Sequence, residues 1–163
     1  MIFVAVGTQK FQLNRLLKAI DDLIEQGQLT EEVFAQVGHS DYVPKHYAYR
    51  DFISKDDFQD RIRRCEVLIT HSGVATIITG LQLHKPVVVF PRLASFGEHV
   101  DDHQLQIAES FSDKNLLLMC KEPEALGGIL DKARTHVFEP YVSQRDQVIH
   151  TVRDYLKTIC VEV

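Results

Sequence analysis

The loop Thr70-His71-Ser72-Gly73-Val74-Ala75-Thr76 follows the short apolar run Val67–Ile69 and opens a helix-like stretch, Val74–Leu83. Free backbone N–H groups at a helix N-terminus, with the helix dipole behind them, form a ready phosphate site. Gly73 permits close approach of a ligand, and Ser72 and Thr76 add hydroxyl donors. A plainer reading has Ser72 as an ordinary helix cap and Gly73 as an aid to the turn. The loop is neither G-x-G-x-x-G nor a lysine-bearing P-loop, so it does not announce a dinucleotide or ATP site.

A second polar segment, Pro91 to Gln104, follows the apolar run Val87–Phe90. It holds Arg92, Glu98, His99, Asp101, Asp102, His103 and Gln104. Asp102 and Gln104 have the acceptors and donors to bind sugar hydroxyls, whereas Asp101 suits a helix cap. His99 and His103 are four residues apart, a metal-compatible step on a helix, but no H-E-x-x-H pattern or thiolate accompanies them, so no metal is expected. A third turn, Gly7-Thr8-Gln9, follows the first apolar run. Lys10 beside it reads as a solvated lysine.

The elements that must position these residues alternate. Strands are expected at Ile2–Val6, Val33–Val37, Tyr47–Ile53, Val67–Ile69, Val87–Phe90 and Leu116–Met119. Leu13, Leu16, Leu17, Ile20 and Ile24 recur at helical steps, and Gly27 can close that helix. Ser54 with Asp57 resembles a capping box for a helix to about Arg64. Further helices are expected over Asp101–Ser112, Pro123–Arg134 and Ser143–Thr158. Such alternation calls for a parallel sheet covered on both faces. If the first and fourth strands are neighbours, two helix N-termini converge on one crevice, the place where open α/β sheets bind ligands.

With 163 residues, 45% hydrophobic and 25% charged, the chain reads as one globular domain, 1–163. A formal charge of −5 argues against a nucleic-acid partner. Cys65, Cys120 and Cys160 fit reduced thiols rather than a disulfide framework. Met1–Val6 reads as a strand and not a signal peptide, and no apolar run reaches 18 residues. These features suit a cytoplasmic protein that reaches a membrane only through a partner.

Together the segments FVAVGTQKFQLNRLLKAI, ITHSGVATII, KPVVVFPR and GEHVDDHQ resemble the donor-binding domain of glycosyltransferase family 28. The likeness is to its single-domain branch, which holds the catalytic subunit of the two-part GlcNAc-transferase of asparagine-linked glycosylation and bacterial capsule and exopolysaccharide subunits. It implies a Rossmann-like parallel sheet flanked by helices, the donor half of a GT-B fold. It further implies a UDP-sugar donor, inversion, no cofactor or metal, and a lipid-linked acceptor held by a membrane-anchored partner subunit at the inner face of the membrane. The general base would lie on that partner. Gly7, Thr8 and the His71–Gly73 turn would face the phosphates; Asp102, His103 and Gln104 would approach the sugar; Glu98 and His99 would border the cleft. The resemblance departs at Ala75, where many relatives have glycine, and at Thr79, where an acidic residue holds the ribose. A non-catalytic UDP-sugar-binding module of a polysaccharide assembly complex is the competing expectation. The apolar stripe Val148, Val152, Tyr155, Leu156 and Ile159, continued by Cys160, Val161 and Val163, suits either packing on its own domain or the partner interface. In the latter case the isolated chain would form homo-oligomers.

Overall fold

The computed structural model describes residues 1–160, and for Cys160 the backbone only. Six strands form one parallel sheet: β1 (Ile2–Ala5), β2 (Val33–Gln36), β3 (Ala48–Arg50), β4 (Val67–Thr70), β5 (Val87–Val89) and β6 (Leu118–Met119). Their order is β3-β2-β1-β4-β5-β6. Register pairs Ile2 with both Val33 and Val67, so β1 and β4 are central neighbours. The chain leaves β1 toward one side of the sheet and β4 toward the other, which opens a crevice between their carboxyl ends.

Alternation along the strands feeds two cores. Ile2, Val4, Val6, Val67 and Ile69 pack with α1 (Asn14–Glu25) and α5 (Leu126–Thr135). Phe3, Ala5, Leu68, Val87 and Val89 pack with α2 (Lys55–Arg64), α3 (Val74–Gln82) and α4 (His103–Ser112). No side chain caps the start of α1. A missing cap costs about 1 kcal/mol. Full burial of Leu16, Leu17 and Ile20 outweighs that, at about 1.5–3 kcal/mol each. Ser54 caps α2 as expected, its Oγ accepting from the Asp57 amide at 3.1 Å.

Several boundaries differ from expectation. β3 is shorter than Tyr47–Ile53 because it is an edge strand, and the Ile53 amide leaves the ladder to donate to Gln36 Oε1. Pro123–Ala125 forms a 3-10 turn before α5. The helix expected from Asp101 starts at His103, because Gly97 takes a left-handed φ of +65° and the following residues bend. His99 therefore precedes the helix, and the His99–His103 step does not put both rings on one helical face.

The last helix, α6 (Arg145–Cys160), does not pack on the domain: every side chain from Arg145 to Ile159 is exposed. Val148, Val152, Tyr155, Leu156 and Ile159 thus form a solvent-facing apolar stripe. The remainder of the expected apolar end, Val161 and Val163 with the Cys160 side chain, lies outside the described residues. No described helix is long and apolar enough to cross a membrane.

Candidate functional site

The crevice between β1 and β4 holds a cleft of about 500 Å³. Of the residues expected from the sequence, Gly7, Thr8, His71, Gly73 and Thr76 line it, together with Gln9, Val74 and Ala75. The opposite wall is built from Gln36, Ile53, Lys55 and Phe58. Those four carry no motif of their own; sheet order alone, with β2 and β3 beyond β1, brings them there. α1 begins only at Asn14 and does not line the cleft, so the helix N-termini that meet there are those of α2 and α3.

Gly73 is the N-cap of α3, and no side chain caps that helix. This corrects the simple cap expected of Ser72, whose hydroxyl is buried and meets no partner. The first-turn amides of Val74, Ala75 and Thr76 have no intrahelical acceptor, and all three residues line the cleft. They are donors for an anion.

His71 organises the floor. Its Nδ1 lies 3.3 Å from the Ala5 carbonyl, which can only accept, so Nδ1 carries the proton and Nε2 keeps a bare lone pair. Burial, reinforced by the nearby charge of Arg92, pushes its pKa down to about 4, so the ring is neutral at pH 7. The ring lies between two glycines. A Cβ on Gly7 would come within 2.5 Å of His71 Cε1, and one on Gly73 within 2.6 Å of the same atom and closer still to Nε2. Gly7 also has a φ of +83°. The glycines at 7 and 73 are thus required by the imidazole between them.

The Pro91–Gln104 segment is arranged differently from expectation. Three of its side chains accept from three successive backbone amides: Gln104 Oε1 from Arg92 at 3.3 Å, Glu98 Oε2 from Leu93 at 3.0 Å, and Asp102 Oδ1 from Ala94 at 2.8 Å. The polar residues therefore first hold the turn after β5. Glu98 does not border the cleft: it is fully buried, and Arg15 of α1 grips both its oxygens at 2.8 Å. Gln104 and Arg92 are buried as well. His99 packs against Phe11 with the rings tilted by 43° and pairs with Asp101. Asp101 takes the amide of His103, a bond that lowers its pKa, while Asp102 and His103 are exposed. Thr79 turns its hydroxyl onto the Ala75 carbonyl of its own helix at 2.8 Å. Among the described residues no cluster of three or more His, Cys, Asp or Glu could hold a metal ion.

A six-stranded sheet in this order, with an amide-lined crevice at its switch point, is the fold of one half of a GT-B glycosyltransferase. The chain belongs to the glycosyltransferase family 28 C-terminal domain family, whose model matches residues 1–159. It is 26% identical over 126 residues to the human UDP-N-acetylglucosamine transferase subunit ALG13, covering 73% of this chain and 11% of that protein. The chain thus spans a small part of that relative's length. An NMR solution structure of ALG13 has the same fold, with a TM-score of 0.59 and 17% identity over 93% of both chains. So does the glycotransferase of kitacinnamycin, with a TM-score of 0.63 and 16% identity over 83% of this chain and 35% of that one.

Proposed function

We propose that this chain is the donor-binding, catalytic subunit of an inverting glycosyltransferase that moves a sugar from a UDP-sugar to a lipid-linked acceptor. The observation that carries this reading is the uncapped N-terminus of α3 opening into the β1–β4 cleft beside Gly7 and Thr8. The acceptor hydroxyl displaces the nucleotide at the anomeric carbon. The amides of Val74–Thr76 stabilise the charge that grows on the departing diphosphate. The human relative is named a UDP-N-acetylglucosamine transferase subunit, which favours UDP-N-acetylglucosamine as donor. The exposed Asp102 and His103 are free to meet the sugar.

A base must take the acceptor proton. Among the described residues the cleft lining holds no carboxylate, and the pKa of His71, lowered by burial to about 4, makes its free Nε2 a weak base. In this reading the base lies on a partner chain, membrane-anchored and holding the acceptor, which keeps this chain at the cytoplasmic face. The unpacked apolar stripe of α6 supports such a partner.

Titration calorimetry with UDP, ADP and GDP in EDTA tests the ligand class. UDP should bind, and better than the other two; equal or absent binding of all three removes the reading. The self-bonded Thr79 hydroxyl favours one alternative, a non-catalytic UDP-sugar-binding module. The two separate when partner and lipid acceptor are added, since only the enzyme gives turnover.

A further inference from the structure

Beneath the corner where β1 ends, Arg92 has no exposed surface. Its Nη2 donates to the Val6 carbonyl at 2.6 Å, while Nε and Nη1 meet no acceptor. The neighbouring carboxylate is already engaged, because Glu98 is held by Arg15 through both oxygens and by the Leu93 amide. Two guanidinium groups share one carboxylate, so this corner carries a surplus positive charge. Burial lowers the Arg92 pKa and Glu98 opposes that shift. A guanidinium nevertheless keeps its proton in a folded protein. A buried charge without a close partner costs several kcal/mol, so a fold that retains one has a use for it. The position gives the use. Val6 precedes Gly7, and the His71 ring between Gly7 and Gly73 feels the Arg92 charge. The hydroxyl of Ser72, which lies between His71 and Gly73 in the chain, is likewise buried without a partner.

We propose that Arg92 is a positioning residue for the donor's diphosphate, a buried charge set one layer behind Gly7 and His71 that is balanced only when an anion fills the cleft. This deepens the nucleotide-sugar reading and rests on it. Arg92 does not touch the ligand. It acts across a thin, poorly screened layer of protein, where a charge is felt more strongly than through water, and it fixes the Val6 carbonyl that sets the Gly7 turn. The uncharged nucleoside gains nothing from it.

The test compares UDP and uridine, by calorimetry and NMR titration, on the wild type, Arg92→Met and Arg92→Lys. Arg92→Met should weaken UDP tenfold or more and leave uridine within twofold, and Arg92→Lys should recover most of the loss. Parallel losses for UDP and uridine would make Arg92 a structural strut and overturn the proposal, as would unchanged UDP binding. If Arg92→Met does not fold, the wild type still decides. Its Arg92 Nε–H resonance, shielded by burial, should move on addition of UDP or inorganic pyrophosphate and stay in place with uridine. An equal response to uridine, or none to either anion, overturns the proposal. A wild type that binds no UDP removes the nucleotide-sugar reading, and this inference with it.

Discussion

Replacing Gly73 with alanine isolates the fit between the cleft floor and the His71 ring. Gly73 has φ −72° and ψ 110°, ordinary for alanine, so the backbone contributes no strain. The new Cβ meets His71 Cε1 at 2.6 Å and Nε2 closer still, and ordinary contact begins near 3.4 Å, so the ring must retreat by at least about 0.8 Å. That shift breaks the Nδ1–H bond to Ala5, and overpacking of this kind costs about 1–3 kcal/mol. In a His71→Ala background the obstruction is gone. Gly73→Ala should then be neutral or stabilising by about 0.4–1 kcal/mol, through the unfolded chain. Gly7→Ala behaves differently, because φ +83° persists without the ring and leaves about 1–2 kcal/mol of strain in either background. Urea unfolding of the single and double mutants gives the coupling, expected at about 2 kcal/mol for Gly73 with His71. An equal cost of Gly73→Ala in both backgrounds would refute the reasoning.

Other outcomes follow from the same geometry. His71 has a folded pKa of about 4 against about 6.5 unfolded, so stability is full above pH 6.5 and falls by about 3 kcal/mol as pH drops to 4. His71→Gln should flatten that part of the pH profile in urea melts, and an unchanged slope would count against it. Arg15→Met removes two charge-assisted hydrogen bonds from the buried Glu98 carboxylate, which keeps the Leu93 amide and the nearby Arg92 charge, and should cost about 1.5–3 kcal/mol by thermal or urea unfolding. Gln104→Ala leaves the buried Arg92 amide unpaired, for about 1–3 kcal/mol, whereas the exposed Asp102→Ala should cost less than 1 kcal/mol, about the worth of one solvated bond. Removing the chain from Arg145 onward should leave the melting temperature unchanged, since every described side chain of α6 is exposed. It should also abolish self-association in sedimentation; a large drop in melting temperature would contradict the exposed stripe.

The sheet was legible because its strands are short apolar runs ended by turn residues. Val67–Thr70 and Val87–Val89 are buried on both faces and show no alternation to confuse with a helix. The Ser54 cap and the Gly27 stop acted locally and were equally visible. Glu98 was not: its partner, Arg15, lies 83 residues earlier, and nothing in the GEHVDDHQ segment distinguishes a buried carboxylate from a ligand. The same holds for Ile53, Lys55 and Phe58, whose place in the cleft depends on strand order. The Ser54–Asp57 cap was the available clue, since it fixes a second helix N-terminus at the same sheet edge. α6 misleads in another way, because an amphipathic stripe has the same periodicity whether it finds its cover at home or elsewhere.

The lock formed by Gly7, His71 and Gly73 also constrains how a lineage carrying this cleft can change. While the imidazole stays, neither glycine can gain a side chain without displacing it. Once the ring is lost, position 73 becomes free to drift, whereas position 7 stays bound by its own backbone angle. The order of substitutions therefore matters. A descendant that lost the histidine first could fill position 73 with a larger residue, and from there the histidine could not return in one step. Such a chain would keep the sheet and its cores intact while closing the way back to this floor.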